Sequence, residues 1–294
     1  MSRRLPVPLP IRRIGIVGLG DQGRPIARRL LDVGWPLLFH ARRAEVAEEF
    51  RALGATALAP LELARDSDLL LLVVVDAAQL GDLLQRQRML AALRPGSMVA
   101  IHSTITPDAC RALAAAAAAH GVHLIDAPVS GGRDRSYAGE LTIFAGGGAD
   151  AIEAARPVFA AYASQVVRFG EAGAGQAAKL LNNYFYAVHL ATAAKTIELI
   201  DALGLDRTAA AAGLPSGSGA SAVFAMQAAR GFARTRHDKG SAHAAAILNK
   251  AVEDLRQLAS RAGVALDGYD DLVDQALARE ARRDAVAALP TEGR

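Results

Sequence analysis

The sequence predicts an α/β domain built on a doubly wound parallel sheet, followed by an all-helical second domain that a long interdomain helix joins to it. Three observations carry this. A β-branched run, a glycine-rich turn and an amphipathic stretch follow one another between Ile11 and Gly34. Short apolar runs then alternate with helical patterns as far as Gly147, the signature of parallel strands linked by helices. Beyond Gln176 the pattern is helical and shows no strand signal.

Length and composition agree with two domains. A chain of 294 residues, 52% hydrophobic, has room for two cores, and the division is expected near residue 170, giving domains 1–170 and 171–294. The opening "MSRRLPVPLP" lacks the apolar stretch of a signal peptide, and the most apolar segment, "DLLLLVVVDAAQL", is far shorter than a membrane helix needs. A cytoplasmic protein without a membrane partner is expected. The single cysteine, Cys110, cannot form an intrachain disulfide and fits a reducing compartment. It also excludes a cysteine metal site, and the close pair His120 and His123 straddles Gly121 at a helix end, so no metal is expected. The net charge is +3 with basic and acidic residues interspersed, which argues against a nucleic-acid partner.

The first elements are strand, turn and helix. Ile14 to Val17 form a short β-branched run, and Gly18-Leu19-Gly20-Asp21-Gln22-Gly23 follows in the spacing G-x-G-x-x-G. Ile26, Leu30 and Leu31 then share one helical face that ends at Gly34. In this context the glycines permit a tight turn, close approach of a pyrophosphate and packing of helix on strand, while the helix N-terminus attracts phosphate. The combination predicts a Rossmann-type dinucleotide-binding domain. The second strand lies in "PLLFHARR". About twenty residues past the glycines, where an NAD enzyme carries an acid for the ribose, stands Ala41, followed by Arg42 and Arg43. Two guanidiniums and no carboxylate favour NADP over NAD. The other reading makes them solvated arginines opening the helix "AEVAEEF".

Further strands are expected at 68–75, 97–102, 123–129 and 141–147. Ligands of such sheets bind beyond the carboxyl ends of the strands, which points to the loops after Val75, His102 and Val129. "HSTITPD" contains Ser103 and Thr104 and reads alone as a helix cap. "DAPVSGG" places the Ser130 hydroxyl beside the amides of Gly131 and Gly132, a donor cluster suited to a carboxylate or a plain tight turn. Of 33 basic residues only four are lysines, so each retained lysine is informative: lysine can lose its proton in a site and arginine cannot. One of them, Lys179, sits in "GAGQAAKLLNNY" on the same helical face as Asn183. Gln176 to Leu203 contains no glycine or proline, which predicts a rod roughly 40 Å long.

Taken in order, "GIVGLGDQG", "STITP", "DAPVSGG" with "GELTIFAGG", and "GAGQAAKLLNN" resemble the β-hydroxyacid dehydrogenase family. Its members include 3-hydroxyisobutyrate dehydrogenase and tartronate semialdehyde reductase, with 6-phosphogluconate dehydrogenase a more distant relative. The resemblance runs from about residue 14 to 270. It implies that Lys179 is the catalytic acid/base, that Asn183 and Ser130 with Gly131 and Gly132 hold a small hydroxy acid or semialdehyde, and that Thr104 and the Val75 loop touch the nicotinamide half of the cofactor. It also implies a helical second domain built around the long helix, and a homodimer or homotetramer. A late-helix lysine of the family falls on Lys250 in one register, with Glu253 there in the other; Lys250 is preferred as a cofactor contact. The chain departs from the family pattern at Val75, where proline is usual, at His102, near a usual aspartate, and at Arg133, Asp134 and Arg135, where residues are usually small. Those arginines face either inward, toward a more anionic substrate, or solvent. The expected activity is NADP-dependent interconversion of a short 3-hydroxy acid and its 3-oxo acid or semialdehyde. An imine reductase of the same plan and a catalytically silent nucleotide-binding protein are the alternatives.

Overall fold

A computed structural model describes residues 5–232 and 241–287; Lys239 and the last residues of the chain lie outside the described range. The strands are β1 (Ile14–Val17), β2 (Leu37–His40), β3 (Thr56–Ala57), β4 (Leu69–Leu72), β5 (Met98–Ile101), β6 (His123–Asp126), β7 (Val129–Ser130), β8 (Leu141–Gly146) and β9 (Ala163–Gly170). The helices between them are α1 (Gly23–Asp32), α2 (Ala44–Ala52), α3 (Pro60–Asp66), α4 (Ala77–Gly81), α5 (Met89–Ala92), α6 (Pro107–Ala119), α7 (Gly132–Ala138) and α8 (Ala149–Phe159). After them come α9 (Ala174–Ala202), α10 (Arg207–Gly213), α11 (Ala222–Ala229), α12 (Ser241–Ala262) and α13 (Asp267–Ala287). Contacts group the chain into two compact units, Met1–Lys179 and Leu180–Arg294, so the boundary falls inside α9. No helix among the described residues is long and apolar enough to cross a membrane.

The first unit is one nine-stranded sheet in the order β3-β2-β1-β4-β5-β6-β8-β7, with β9 against β8. Strands β1 to β6 pair in parallel, in the order of a Rossmann sheet. Alternation in the strands explains why both faces are covered. Ile14, Ile16, Leu69 and Leu71 join one core with Ile26, Leu30, Val46, Phe50 and Phe159, from α1, α2 and α8. Val17, Leu70, Leu72, Val99 and Ile101 join the other with Leu63, Leu80, Leu90 and Leu113, from α3 to α6. Each such side chain contributes about 1.5–3 kcal/mol on burial.

The parallel rule ends at β8, which runs antiparallel to both β6 and β7. Only Gly131 to Glu140 separate β7 from β8, including α7, and a parallel crossover needs about a dozen residues or more. Strand β9 then returns in parallel after α8. Strand β4 stops at Leu72, so Val73 to Val75 leave the sheet as a loop.

His102, at the end of β5, is buried and serves the fold. Its Nδ1 lies 2.6 Å from the Ala127 carbonyl and its Nε2 2.9 Å from the Tyr162 hydroxyl. A carbonyl only accepts, so Nδ1 donates, and in the neutral ring that this burial favours Nε2 accepts from the Tyr162 hydroxyl. Burial lowers its pKa from 6.5 to about 4, with the bond to Ala127 acting in the opposite direction.

In the second unit α9 is the axis. Leu180, Tyr184 and Ala187 pack with Leu248, Val252 and Leu255 of α12 and Val273 of α13. Further along, Ala193 and Ile200 pack with Ala210 of α10 and Val223 and Phe224 of α11. Arg256 joins α12 to α13 through Asp270 at 3.1 Å and Asp274 at 2.6 Å, and the Tyr184 hydroxyl donates to Asp270 at 2.9 Å.

A pH dependence follows from His102. Its folded pKa is depressed, so the unfolded chain binds more protons between pH 4 and 6.5, and stability present above that window is lost as pH falls through it. The loss approaches about 3 kcal/mol at its limit. Urea midpoints of the wild type should drop on acidification from pH 7 to 4.5, and the drop should be smaller in His102→Gln; parallel curves would remove His102 as the cause.

Candidate dinucleotide and active site

The glycine turn shows why each glycine is required. Gly18 has φ +98°, and a Cβ there would lie 2.2 Å from the Val73 carbonyl oxygen. A Cβ at Gly23, where α1 begins, would lie 1.8 Å from the Gly18 carbonyl oxygen, which locks the helix against the turn. At Gly20 a Cβ would meet nothing within 4 Å: the space is open rather than filled by protein. In the same turn Leu19 is buried, Asp21 is exposed, and the Gln22 Nε2 is buried without a partner.

Beside this turn lies a cavity of about 880 Å³. Gly18, Leu19 and Gly20 form one wall, Ala41, Arg42 and Arg43 another, and Val75 with Asp76 a third. Arg42 and Arg43 line this cavity and are also exposed, so both readings of them stay open here. Arg43 makes a long 3.7 Å ion pair with Glu45, while Arg42 has no ion-pair partner among the described residues. The cavity's carboxylates are engaged: Asp76 accepts from the Gln79 amide at 2.9 Å, and Asp82 pairs with Arg86 at 2.9 Å. The open face of Gly20, the orphan Gln22 amide and the guanidiniums fit a dinucleotide with its phosphates at the N-terminus of α1. The sequence reading missed His40, Gln79, Arg86 and Gln87, which also line the cavity. Arg86 closes a π-helical turn, Asp82–Arg86, a feature without a sequence motif.

The other loops cluster at the start of α9. Thr106, rather than Thr104, caps α6 by accepting from the Ala109 amide at 3.2 Å, which leaves half-buried Thr104 free of that duty. Ser103 donates to the Val74 carbonyl at 2.5 Å, tying the loop after β5 to the Val75 loop. Val75 itself is 52% exposed. The buried Asp126 carboxylate accepts from the amides of Gly173 at 3.0 Å and Gln176 at 2.9 Å. Desolvation raises its pKa and those amides oppose the rise.

Lys179 lies one turn beyond Gln176, half-buried, and burial lowers its pKa from 10.5 to about 8. No carboxylate among the described residues pairs with it. Asn183, one turn further, is buried, and its Oδ1 accepts from Asn182 at 3.3 Å. Ser130 is half-buried at the end of β7, and Gly131 and Gly132 take φ +138° and +74°, conformations that suit glycine. The arginines after them are exposed: Arg133 stands over the Tyr137 ring at 5.8 Å and Arg135 is 3.9 Å from Glu140. Lys250 and Glu253 lie on α12 in the second unit; Lys250 pairs with Asp254 at 2.6 Å, and Glu253 accepts from Gln257 at 3.3 Å. The structure thus gathers Gly18, Leu19, Gly20, Arg42, Arg43 and Val75 around one cavity. Thr104, Ser130, Gly131, Gly132, Lys179, Asn183 and Lys250 are not among its lining residues.

Residues 13–170 match the model of the NAD binding domain of 6-phosphogluconate dehydrogenase, and residues 173–288 match that of the NAD-binding domain of NADP-dependent 3-hydroxyisobutyrate dehydrogenase. The chain belongs to the β-hydroxyacid dehydrogenase family. It is similar to the L-threonate dehydrogenase of Cupriavidus necator, 38% identical over 64% of either chain. It is also similar to an NAD-dependent L-serine dehydrogenase of Pseudomonas aeruginosa, 36% identical over 67% of this chain and 66% of that one. Both matches span slightly less than two-thirds of the relative's own length. Among solved structures, a 3-hydroxyisobutyrate dehydrogenase from Salmonella typhimurium superimposes with a TM-score of 0.75 at 28% identity, covering 93% of this chain and 94% of that one. As a β-hydroxyacid dehydrogenase the chain is an oxidoreductase of the NAD(P)-dependent class.

The glycines separate fold from binding. Gly20→Ala should leave the melting temperature within about 2 °C and weaken nicotinamide dinucleotide binding tenfold or more, because only ligand space is filled. Gly23→Ala should lower the melting temperature, its Cβ having no room beside Gly18. Thermal melts and fluorescence titration with reduced dinucleotide check both; normal affinity in Gly20→Ala would move the pyrophosphate elsewhere.

Proposed function

We propose that the protein is an NADP-dependent dehydrogenase that interconverts a short 3-hydroxy acid and its 3-oxo acid or semialdehyde, with Lys179 as general acid/base. One observation carries the chemistry: Lys179 has its amine brought to a pKa of about 8 by burial, one helical turn from Asn183. An amine near neutrality can take up a proton and return it at working pH, which an ordinary surface lysine does far less readily. In the oxidative direction the Lys179 Nζ accepts the hydroxyl proton as the carbinol carbon loses hydride and its C–O bond becomes a carbonyl; in reduction the ammonium gives that proton back. When bound, the dinucleotide supplies the hydride transfer. Asn183 orients the substrate oxygen without adding charge, and Ser130 with the amides of Gly131 and Gly132 holds the carboxylate. Arg42 and Arg43 favour NADP, since no carboxylate stands at the end of β2 to meet a ribose 2′-hydroxyl. Residues 1–170 form the NADP-holding domain and 171–294 the helical domain. In this assignment Val75 and Thr104 bound the nicotinamide side, and Lys250 is a further cofactor contact.

Lys179→Ala should lower kcat/KM about 10² or more and leave NADPH affinity within about threefold. In the wild type, oxidation should rise with pH and level off above about 8, while reduction falls over the same interval; a profile flat across pH 7–9 in both directions would remove the lysine from the proton transfer. Substrates are found with a panel of 3-hydroxy acids, semialdehydes and cyclic imines followed by nicotinamide absorbance, and turnover of imines alone would overturn the proposal.

The double variant Arg42→Ala/Arg43→Ala should weaken NADPH about tenfold or more by equilibrium titration, the loss of one to two charge-assisted bonds, and change NADH little. An unaltered ratio of the two affinities would defeat the cofactor assignment.

A further inference from the structure

Gln176 is fully buried in the first turn of α9, and both ends of its carboxamide are used on one loop. Its Nε2 donates to the Ser103 carbonyl at 2.9 Å, and its Oε1 accepts from the Ile105 amide at 3.0 Å. The two bonds grip the main chain on either side of Thr104. The backbone amide of the same residue donates to Asp126 at 2.9 Å. One residue therefore joins the loop after β5, the end of β6 and α9.

The chemistry of the grip is specific. A carbonyl needs a donor and an amide needs an acceptor, and a side-chain carboxamide offers both in one plane. The remaining loop contact, Ser103 Oγ to the Val74 carbonyl, passes the same restraint to the segment before Val75. Lys179 follows Gln176 by three residues, on the next turn of an α-helix whose own hydrogen bonds make it stiff over that length.

We infer that Gln176 is a positioning residue of the reaction: by clamping Ser103 and Ile105 to the first turn of α9, it fixes the Lys179 turn relative to the Thr104 and Val75 loops. The inference rests on the acid/base role of Lys179. Gln176 is fully buried with its carboxamide spent on the main chain, so it acts through the loop and the helix rather than on substrate or cofactor.

The test compares Gln176→Met, which keeps the length and removes both bonds, with Gln176→Asn, which keeps the amide but is one methylene short. Asp68→Asn is the structural comparator: Asp68 accepts from the amides of Arg12 at 2.8 Å and Arg13 at 2.9 Å, pairs with Arg94, and lies outside the site. Each variant is assayed as the full chain for kcat, KM, NADPH affinity and melting temperature, with the hydroxy acid turned over by the wild type. Acylation of Lys179 against pH, followed by peptide mass, reads the amine directly and needs no substrate.

Both Gln176 variants should lose tenfold or more in kcat with NADPH affinity within threefold, and the pH at which Lys179 labels should move from about 8 toward 10. Asp68→Asn should lose melting temperature while keeping kcat and the labelling midpoint. If either folded Gln176 variant keeps the wild-type kcat and labelling midpoint, or if Asp68→Asn loses kcat in proportion to its melting temperature, the inference is overturned. Lys179→Ala run in parallel separates the two levels. Retained turnover there defeats the acid/base role itself, whereas its loss beside a fully active Gln176→Met defeats only the positioning role.

Discussion

The carboxylate of Asp126, buried at the end of β6 and capping the start of α9, is the constraint on which the rest depends. It accepts from two backbone amides of that helix start, and the positive end of the helix dipole reinforces both bonds. Burying such a charge is costly unless its oxygens are bonded, and here both are. The packing leaves no slack: a Cβ at Gly146 would lie 2.5 Å from one Asp126 oxygen, and a Cβ at Gly175 2.3 Å from the Phe144 carbonyl. Those glycines let the start of α9 come this close to Asp126. Since α9 runs unbroken for 29 residues, its anchored end fixes the turn that bears Lys179, and its remaining length is the axis for both apolar clusters of the second unit.

After β1, at the glycine turn, the constraint is space rather than charge. Gly18 and Gly23 are glycines because protein atoms occupy the place of a side chain, and Gly20 is glycine although nothing does. Gly20 lines the cavity, so the open space beside it is room for a ligand at the turn. Arg42 stands on the same cavity's wall with no carboxylate paired to it among the described residues, while neighbouring Asp76 and Asp82 are engaged. The cavity presents a surplus of donors, which suits a polyanion.

What was legible in the sequence was what local rules encode. The glycine spacing, the missing acid at Ala41 and the unbroken stretch after Gln176 each depend on neighbours in the chain, and each has its counterpart in the structure: the turn, the arginine wall and α9. What depends on partners far along the chain was not legible. The reversal of β8 follows from a link too short for a crossover, and β7 and β9 exist because β8 offers them an edge. His102 read as a departure from a family pattern, yet its bonds reach Ala127 and Tyr162, 25 and 60 residues away. Gln176 read as one polar residue in a helix, and its partners on the Thr104 loop are more than 70 residues distant. Arg86 reaches the cavity through a π-helical turn that no periodicity announces.

These remote bonds bear on the chemistry by subtraction. Several buried ionisable groups lie in the first unit, and burial shifts each of them differently. The His102 ring has both nitrogens occupied and titrates near pH 4. Burial pushes the Cys110 thiol and the Tyr162 hydroxyl upward, so both stay protonated. Asp126 has two backbone amides on its oxygens. Among the basic groups here Lys179 is the one brought to a pKa of about 8, and the shift comes from burial, with no carboxylate paired to it among the described residues. A carboxylate partner would have restored the high pKa of a surface amine and left the group charged at every working pH. With no such partner among the described residues, burial acts on the Lys179 amine unopposed.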